Sequence, residues 1–131
     1  MSKCLILVKY SIKKNQFCED HSKNLDSIDI SDKIINDLDL KSAIVKKCVR
    51  EEEDGEFYET EVVDSNCLSD IIERCEKLSI TYLSDLQTGI ANDKQRNNAF
   101  DKLTVLLNIR KIMRKKHLQY KDDDSVFIVW G

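Results

Sequence analysis

The two most apolar runs of this chain lie at its opposite ends, Cys4-Leu5-Ile6-Leu7-Val8 and Val126-Phe127-Ile128-Val129-Trp130. Neither approaches the ~20 residues that a membrane-spanning helix needs, so no membrane contact is expected from them. Branched and aromatic residues dominate both, which is the composition of strands. The first continues through Tyr10-Ser11-Ile12 and ends in the polar Lys13-Lys14-Asn15-Gln16. The second is apolar at odd and even positions alike, so both of its faces need cover, at the centre of a sheet or beneath helices. Burying two such strands in one core draws the ends of the chain together, and the last strand is placed beside the first, closing the fold.

A length of 131 residues fits one domain over residues 1–131, because splitting it would leave two cores too small to be stable. Apolar residues make up 41% and charged residues 34%. The charged share exceeds the usual ~25%, yet the chain is too apolar to be disordered. A folded domain with a crowded polar surface follows. The apolar part of the first run stops at Lys9, short of the ~7–15 residues of a signal peptide, so secretion is not expected. Five cysteines at scattered positions, an odd number, do not form a disulfide framework, and a reducing cytoplasmic or nuclear setting fits them better.

Between the terminal strands the pattern changes several times. Over residues 17–40 it loosens into Asp, Ser, Asn and Lys, and only 31–38 reads as a helix, with Ser31 as N-cap and Ile34, Ile35 and Leu38 on one face. Strand-like runs at 43–50 and 57–63 flank Glu51-Glu52-Glu53-Asp54-Gly55-Glu56, and an Asp-Gly between such runs signals a β-hairpin. Its acidic tip repels another strand edge. Asp64, Ser65 or Asn66 can cap a helix carrying Leu68, Ile71, Ile72, Cys75 and Leu78. That helix either continues through Ile80, Tyr82, Leu83 and Leu86 or breaks near Ser79, with a stop at Gly89 or in the polar 92–95. A further helix is expected over 97–117, where Phe100, Leu103, Leu106, Leu107, Ile109, Ile112 and Met113 cover more than one narrow stripe. The predicted architecture is α+β: a small mixed or antiparallel sheet, made of the N-terminal strand, the central hairpin and the C-terminal strand, with two or three helices packed on one face.

Candidate chemistry is thin. Cys18-Glu19-Asp20-His21 has the spacing of half a zinc site, but no second pair completes four ligands. Cys67 or Cys75 with His117 could form a thiol–base pair. Both cysteines, however, lie on or beside an apolar helix face, where cysteine acts as a small hydrophobe. The acidic runs 51–54 and 122–124 lack the alternation of a calcium loop and read as solvated. Three glycines, Gly55, Gly89 and Gly131, cannot build a phosphate-cradling loop. No metal, no cofactor and no catalytic residue is expected, and an enzymatic role would need an unrecognised site.

The remaining signals concern surfaces. Arg110, Lys111, Arg114, Lys115 and Lys116 cluster at the end of the long helix, where they suit the helix dipole, a partner protein, or the phosphates of a nucleic acid. A net charge of −3 weighs against nucleic acid as the main partner. The wide apolar face of the same helix, with Phe100, Leu103, Ile109, Ile112 and Met113, suits an interface with a protein partner or in a homodimer, although core packing accounts for it equally well. Segregation of an acidic hairpin from a basic helix end favours complementary docking. The expected function is therefore non-enzymatic protein–protein interaction, as an assembly subunit or a small adaptor or inhibitor. Nucleic-acid binding through the basic helix end is the alternative. The absence of proline and the abundance of Lys, Ile, Asn and Asp fit an AT-rich genome such as those of some large DNA viruses, protists or insect symbionts; for a virus the adaptor reading becomes inhibition of a host protein.

Overall fold

Strand β1 (Lys3–Lys13) turns straight back into β2 (Gln16–Ile30) through Lys14 and Asn15, both with positive φ (52° and 63°). Two left-handed residues in a two-residue loop match the twist of paired strands, so the turn seats Lys13 opposite Gln16. The computed structural model describes residues 3–52, 55–87 and 92–131. After β2 come helix α1 (Asp32–Asp37), a 3-10 turn (Leu40–Ala43), the hairpin of β3 (Ile44–Arg50) and β4 (Phe57–Val63), and a second 3-10 turn (Ser65–Cys67). Helices α2 (Leu68–Gln87) and α3 (Asp93–Arg114), a π-helical turn (Lys115–Gln119) and β5 (Val126–Trp130) complete the chain.

The five strands close into a barrel in the order β1-β2-β3-β4-β5. This corrects the expected open sheet with helices on one face, and the reason lies in β2. Its run Glu19-Asp20-His21-Ser22-Lys23-Asn24 carries residues of low strand propensity and no apolar alternation. The strand forms nonetheless because β1 supplies a main-chain ladder along its length, from Lys3–Ile30 to Lys13–Gln16. Register breaks after Leu7 and after Lys9, with His21 at φ 61°, bend β2, as bulges do at barrel corners. The bend brings Cys18 beside Arg50 of β3 in a parallel pair. On the other side β5 pairs with β1 from Leu5–Trp130 to Lys9–Val126, and meets β4 at Val62–Val129. The expected pairing of the last strand beside the first is present.

Alternation along β1 and β5 divides their side chains between two apolar clusters. Leu5, Leu7, Val126, Ile128 and Trp130 face outward from the barrel and pack with Leu38, Ile71, Leu106, Ile109 and Met113 in the main core. Val8, Tyr10 and Val49, with Ile6, Phe17, Phe127 and Val129 against them, fill the barrel interior. The Phe127 ring stands edge-on to Phe17, with centroids 4.9 Å apart.

Most local expectations on the helices hold. Ser31 caps α1, its hydroxyl accepting from the Ile34 amide at 3.5 Å. Asp64 caps the 3-10 turn that leads into α2. Helix α2 does not break at Ser79, whose buried hydroxyl donates back to the Cys75 carbonyl at 2.7 Å. Its expected stop at Gly89 lies outside the described residues. Helix α3 starts earlier than expected, because Asn92 and Gln95 form a reciprocal capping box with hydrogen bonds of 2.9 and 3.0 Å. The β3–β4 hairpin forms as expected, with Arg50 opposite Phe57, and residues 53–54 of its acidic tip lie outside the described residues.

Candidate protein interface

Helices α2 and α3 run antiparallel, as two contacts show. The Arg110 Nε donates to Glu76 Oε1 at 3.2 Å, and the Lys102 ammonium sits 5.5 Å from the centre of the Tyr82 ring. The buried stripe of α2, with Leu68, Ile71, Cys75, Ser79 and Tyr82, faces the core. Rotating away from it, Glu76, Ile80 and Leu83 recur at spacings of four and three. On α3 the sequence Phe100, Leu103, Leu107, Arg110 repeats at three, four and three. Residues at those spacings share a helix face, and the Glu76–Arg110 ion pair joins the two stripes across the outer side of the helix pair.

That outer side carries large apolar groups in water: Ile80 is 66% exposed, Phe100 57%, Leu107 51% and Leu83 44%. Leu103 is half-buried between them. Of the residues expected from the sequence to form an interface, Phe100 and Leu103 therefore lie on this surface, whereas Ile109, Ile112 and Met113 are fully buried in the main core. Ile80, Leu83 and Leu107 belong to the surface too. The sequence places the first two only in a possible continuation of the helix past Ser79, and the i, i+3, i+7 series from Phe100 to Leu107 is the signal available for the third.

The five cations expected to bind a partner separate into three situations. Lys111 and Arg114 are exposed and form no ion pair with a described residue. Arg110 and Lys115 are paired, the former with Glu76 and the latter with Asp26 at 2.9 Å. The hydrogen bond from Lys115 holds the Asp26 carboxyl below its ordinary range. Lys116 is buried. The π-helical turn directs it inward, where its ammonium donates to the Tyr120 and Asp123 carbonyls at 3.2 and 2.8 Å. Burial lowers its pKa, with Asp123 and Asp124 opposing the shift. Arg110, Lys111, Arg114 and Lys115 nevertheless line one shallow cleft of about 320 Å³ with Leu118 and Gln119, a lining without a carboxylate.

The other sequence candidates do not assemble. Cys18 is buried while His21 points outward beside Asp20, and no metal-holding group of His, Cys, Asp and Glu occurs among the described residues. Burial pushes the Cys75 thiol up to about 12, away from nucleophilic use. Asp123, expected in a solvated loop, is instead a structural anchor. It accepts from the Ser125 hydroxyl and amide and from Lys9 at 2.9 Å, and is held at about 2, chiefly by Ser125.

Among the described residues no helix is long and apolar enough to cross a membrane. No protein-family model matches the chain, no curated protein matches its sequence, and no solved structure matches its fold.

Proposed function

We propose that this chain acts by surface contact, as a non-enzymatic protein-interaction module that serves as an assembly subunit or an adaptor or inhibitor, through the outer face of the α2–α3 pair. The observation that supports this reading is the cluster of Ile80, Leu83, Phe100 and Leu107, all exposed on one side of two neighbouring helices. Single exposed apolar residues are ordinary on protein surfaces, but a contiguous patch with a charged margin marks an interaction site. The nucleic-acid alternative has less support, because phosphate binding needs several free cations in a row. Here Lys116 is buried and Arg110 and Lys115 are paired with carboxylates.

The test is a comparison of wild type with Leu83→Asp/Leu107→Asp, both at exposed positions, so melting temperatures should agree. Cell extract is passed over each immobilised protein and bound chains are quantified by mass spectrometry. A partner retained by wild type at high salt and lost from the variant is the expected result. Identical retention by the two proteins, with oligomeric state also unchanged, would remove the reading.

A further inference from the structure

We infer that the occupant of this face is an acidic amphipathic helix of a partner protein, a proposal that rests on the interaction reading above and specifies the partner's chemistry. Two antiparallel helices with an exposed seam offer the groove into which a third helix packs its ridge of side chains. The stripe on α3 is polarised along its length. Phe100, Leu103 and Leu107 occupy one end, and Lys111, Arg114 and Leu118 continue it at spacings of three and four. The nineteen residues from Phe100 to Leu118 span about 27 Å at helical rise, enough for a partner helix of four to five turns.

The polarity selects the partner. Apolar side chains at i, i+3 or i+4, and i+7 would be covered by Ile80, Leu83, Phe100 and Leu107. Of the four cations that line the cleft at the other end, Arg110 and Lys115 already hold Glu76 and Asp26, whereas Lys111 and Arg114 form no ion pair with a described residue, so a basic segment laid along the groove would meet uncompensated charge at those two. Acidic residues at that end of the partner meet Lys111 and Arg114, which are exposed, and compete with Glu76 for Arg110. A second copy of this chain fits less well: Glu73 and Glu76 at this end are already paired with Lys77 and Arg110, so a two-fold contact centred there would bring the exposed Lys111 and Arg114 of both copies together.

The inference can be checked with a phage-displayed library of amphipathic helical peptides of about 18 residues, varied between acidic and basic residues at their polar positions and panned on the wild-type protein. Enriched peptides should be acidic, with apolar residues at i, i+3 or i+4, and i+7. Read by fluorescence anisotropy, the best peptide should weaken about ten-fold on Lys111→Glu/Arg114→Glu, with faster dissociation and a shallower salt dependence. A charge-swapped peptide should recover binding to that variant, which a misfolded protein could not do. Enriched peptides without acidic bias that still lose binding on Leu83→Asp/Leu107→Asp would overturn this inference and leave the interaction reading standing. No enrichment, or equal binding to both variants, would overturn both. A dimer that dissociates on Leu107→Asp would assign the face to a second copy, and salt-sensitive duplex binding lost on Lys111→Glu/Arg114→Glu would assign the basic end to nucleic acid. Either result overturns the acidic-helix proposal.

Discussion

The two faces of β5 meet very different surroundings. Val126, Ile128 and Trp130 enter the helix-covered core, whose members are almost all fully buried, whereas Phe127 and Val129 enter a smaller barrel interior whose buried cluster is Val8, Tyr10 and Val49, with buried Val62 opposite Val129. Barrel diameter grows with strand number, and about eight strands are needed before side chains fill an interior comfortably. A five-stranded barrel is therefore a narrow secondary core. The closure of the strands shapes this molecule, but the layer between barrel wall and helices stabilises it. The seams agree with this division, since β1 shares long ladders with β2 and β5, while β2–β3 and β4–β5 join at Cys18–Arg50 and Val62–Val129.

The largest expected effect contrasts adjacent residues of one strand. Ile128→Ala should cost about 2–5 kcal/mol, while Val129→Ala, in the half-buried interior, should cost about 1 kcal/mol. Urea unfolding of both variants measures the contrast, and a reversed order would make the barrel interior the principal core. Next comes the anchor that ties β5 to β1 from the preceding loop. Asp123→Ala should cost about 1.5–3 kcal/mol near neutral pH, because charged hydrogen bonds from Ser125 and Lys9 are lost. The carboxyl is held at about 2, below its value in the unfolded chain, so its stabilisation is complete above the unfolded value and disappears as pH falls through about 2. Melting curves of wild type and variant should accordingly converge in strong acid.

A smaller effect concerns the β2–β3 seam. The Arg50 guanidinium lies 4.0 Å from the Phe57 ring centre and donates to Gln16 at 3.0 Å, so Arg50→Ala should cost about 1 kcal/mol. Hydrogen exchange should quicken in β3 and in the first residues of β2 and leave β5 unchanged; uniform acceleration would show that the seam and the main core open together. The smallest effect has the opposite sign. Asn15 sits at φ 63° in the β1–β2 turn, a conformation that glycine adopts without strain, so Asn15→Gly should raise stability by about 0.5–1 kcal/mol. A loss of stability on thermal melting would mean that the Asn15 side chain contributes more than its backbone strain costs.

Legibility in the sequence followed the range of the interactions. The cap at Ser31, the apolar repeat of α2, the β3–β4 hairpin and the dense apolar positions of α3 are set by neighbours a few residues apart, and periodicity reported them. Strand β2 escaped because its apolar residues do not alternate; its order comes from hydrogen bonds donated and accepted by β1. The candidate surface was half legible for a related reason. Phe100 and Leu103 were identified, but so were Ile109, Ile112 and Met113, because a helix apolar over a wide arc does not reveal which part of the arc a neighbour will cover. The run from Arg110 to Lys116 likewise reads as five equivalent cations until Glu76, Asp26 and the carbonyls of the following loop are brought beside them.

The sequence alone determined the terminal strands and the last one's need for cover on both faces, the main helices, and the basic end of α3, since propensity, capping and periodicity act within one segment. Only the tertiary structure decided that β2 is a strand, that the sheet closes, and that Ile80, Leu83, Phe100 and Leu107 remain in water. Main-chain pairing between distant segments and the choice of which apolar face meets a neighbour are properties of two segments at once, and no single stretch of sequence encodes them.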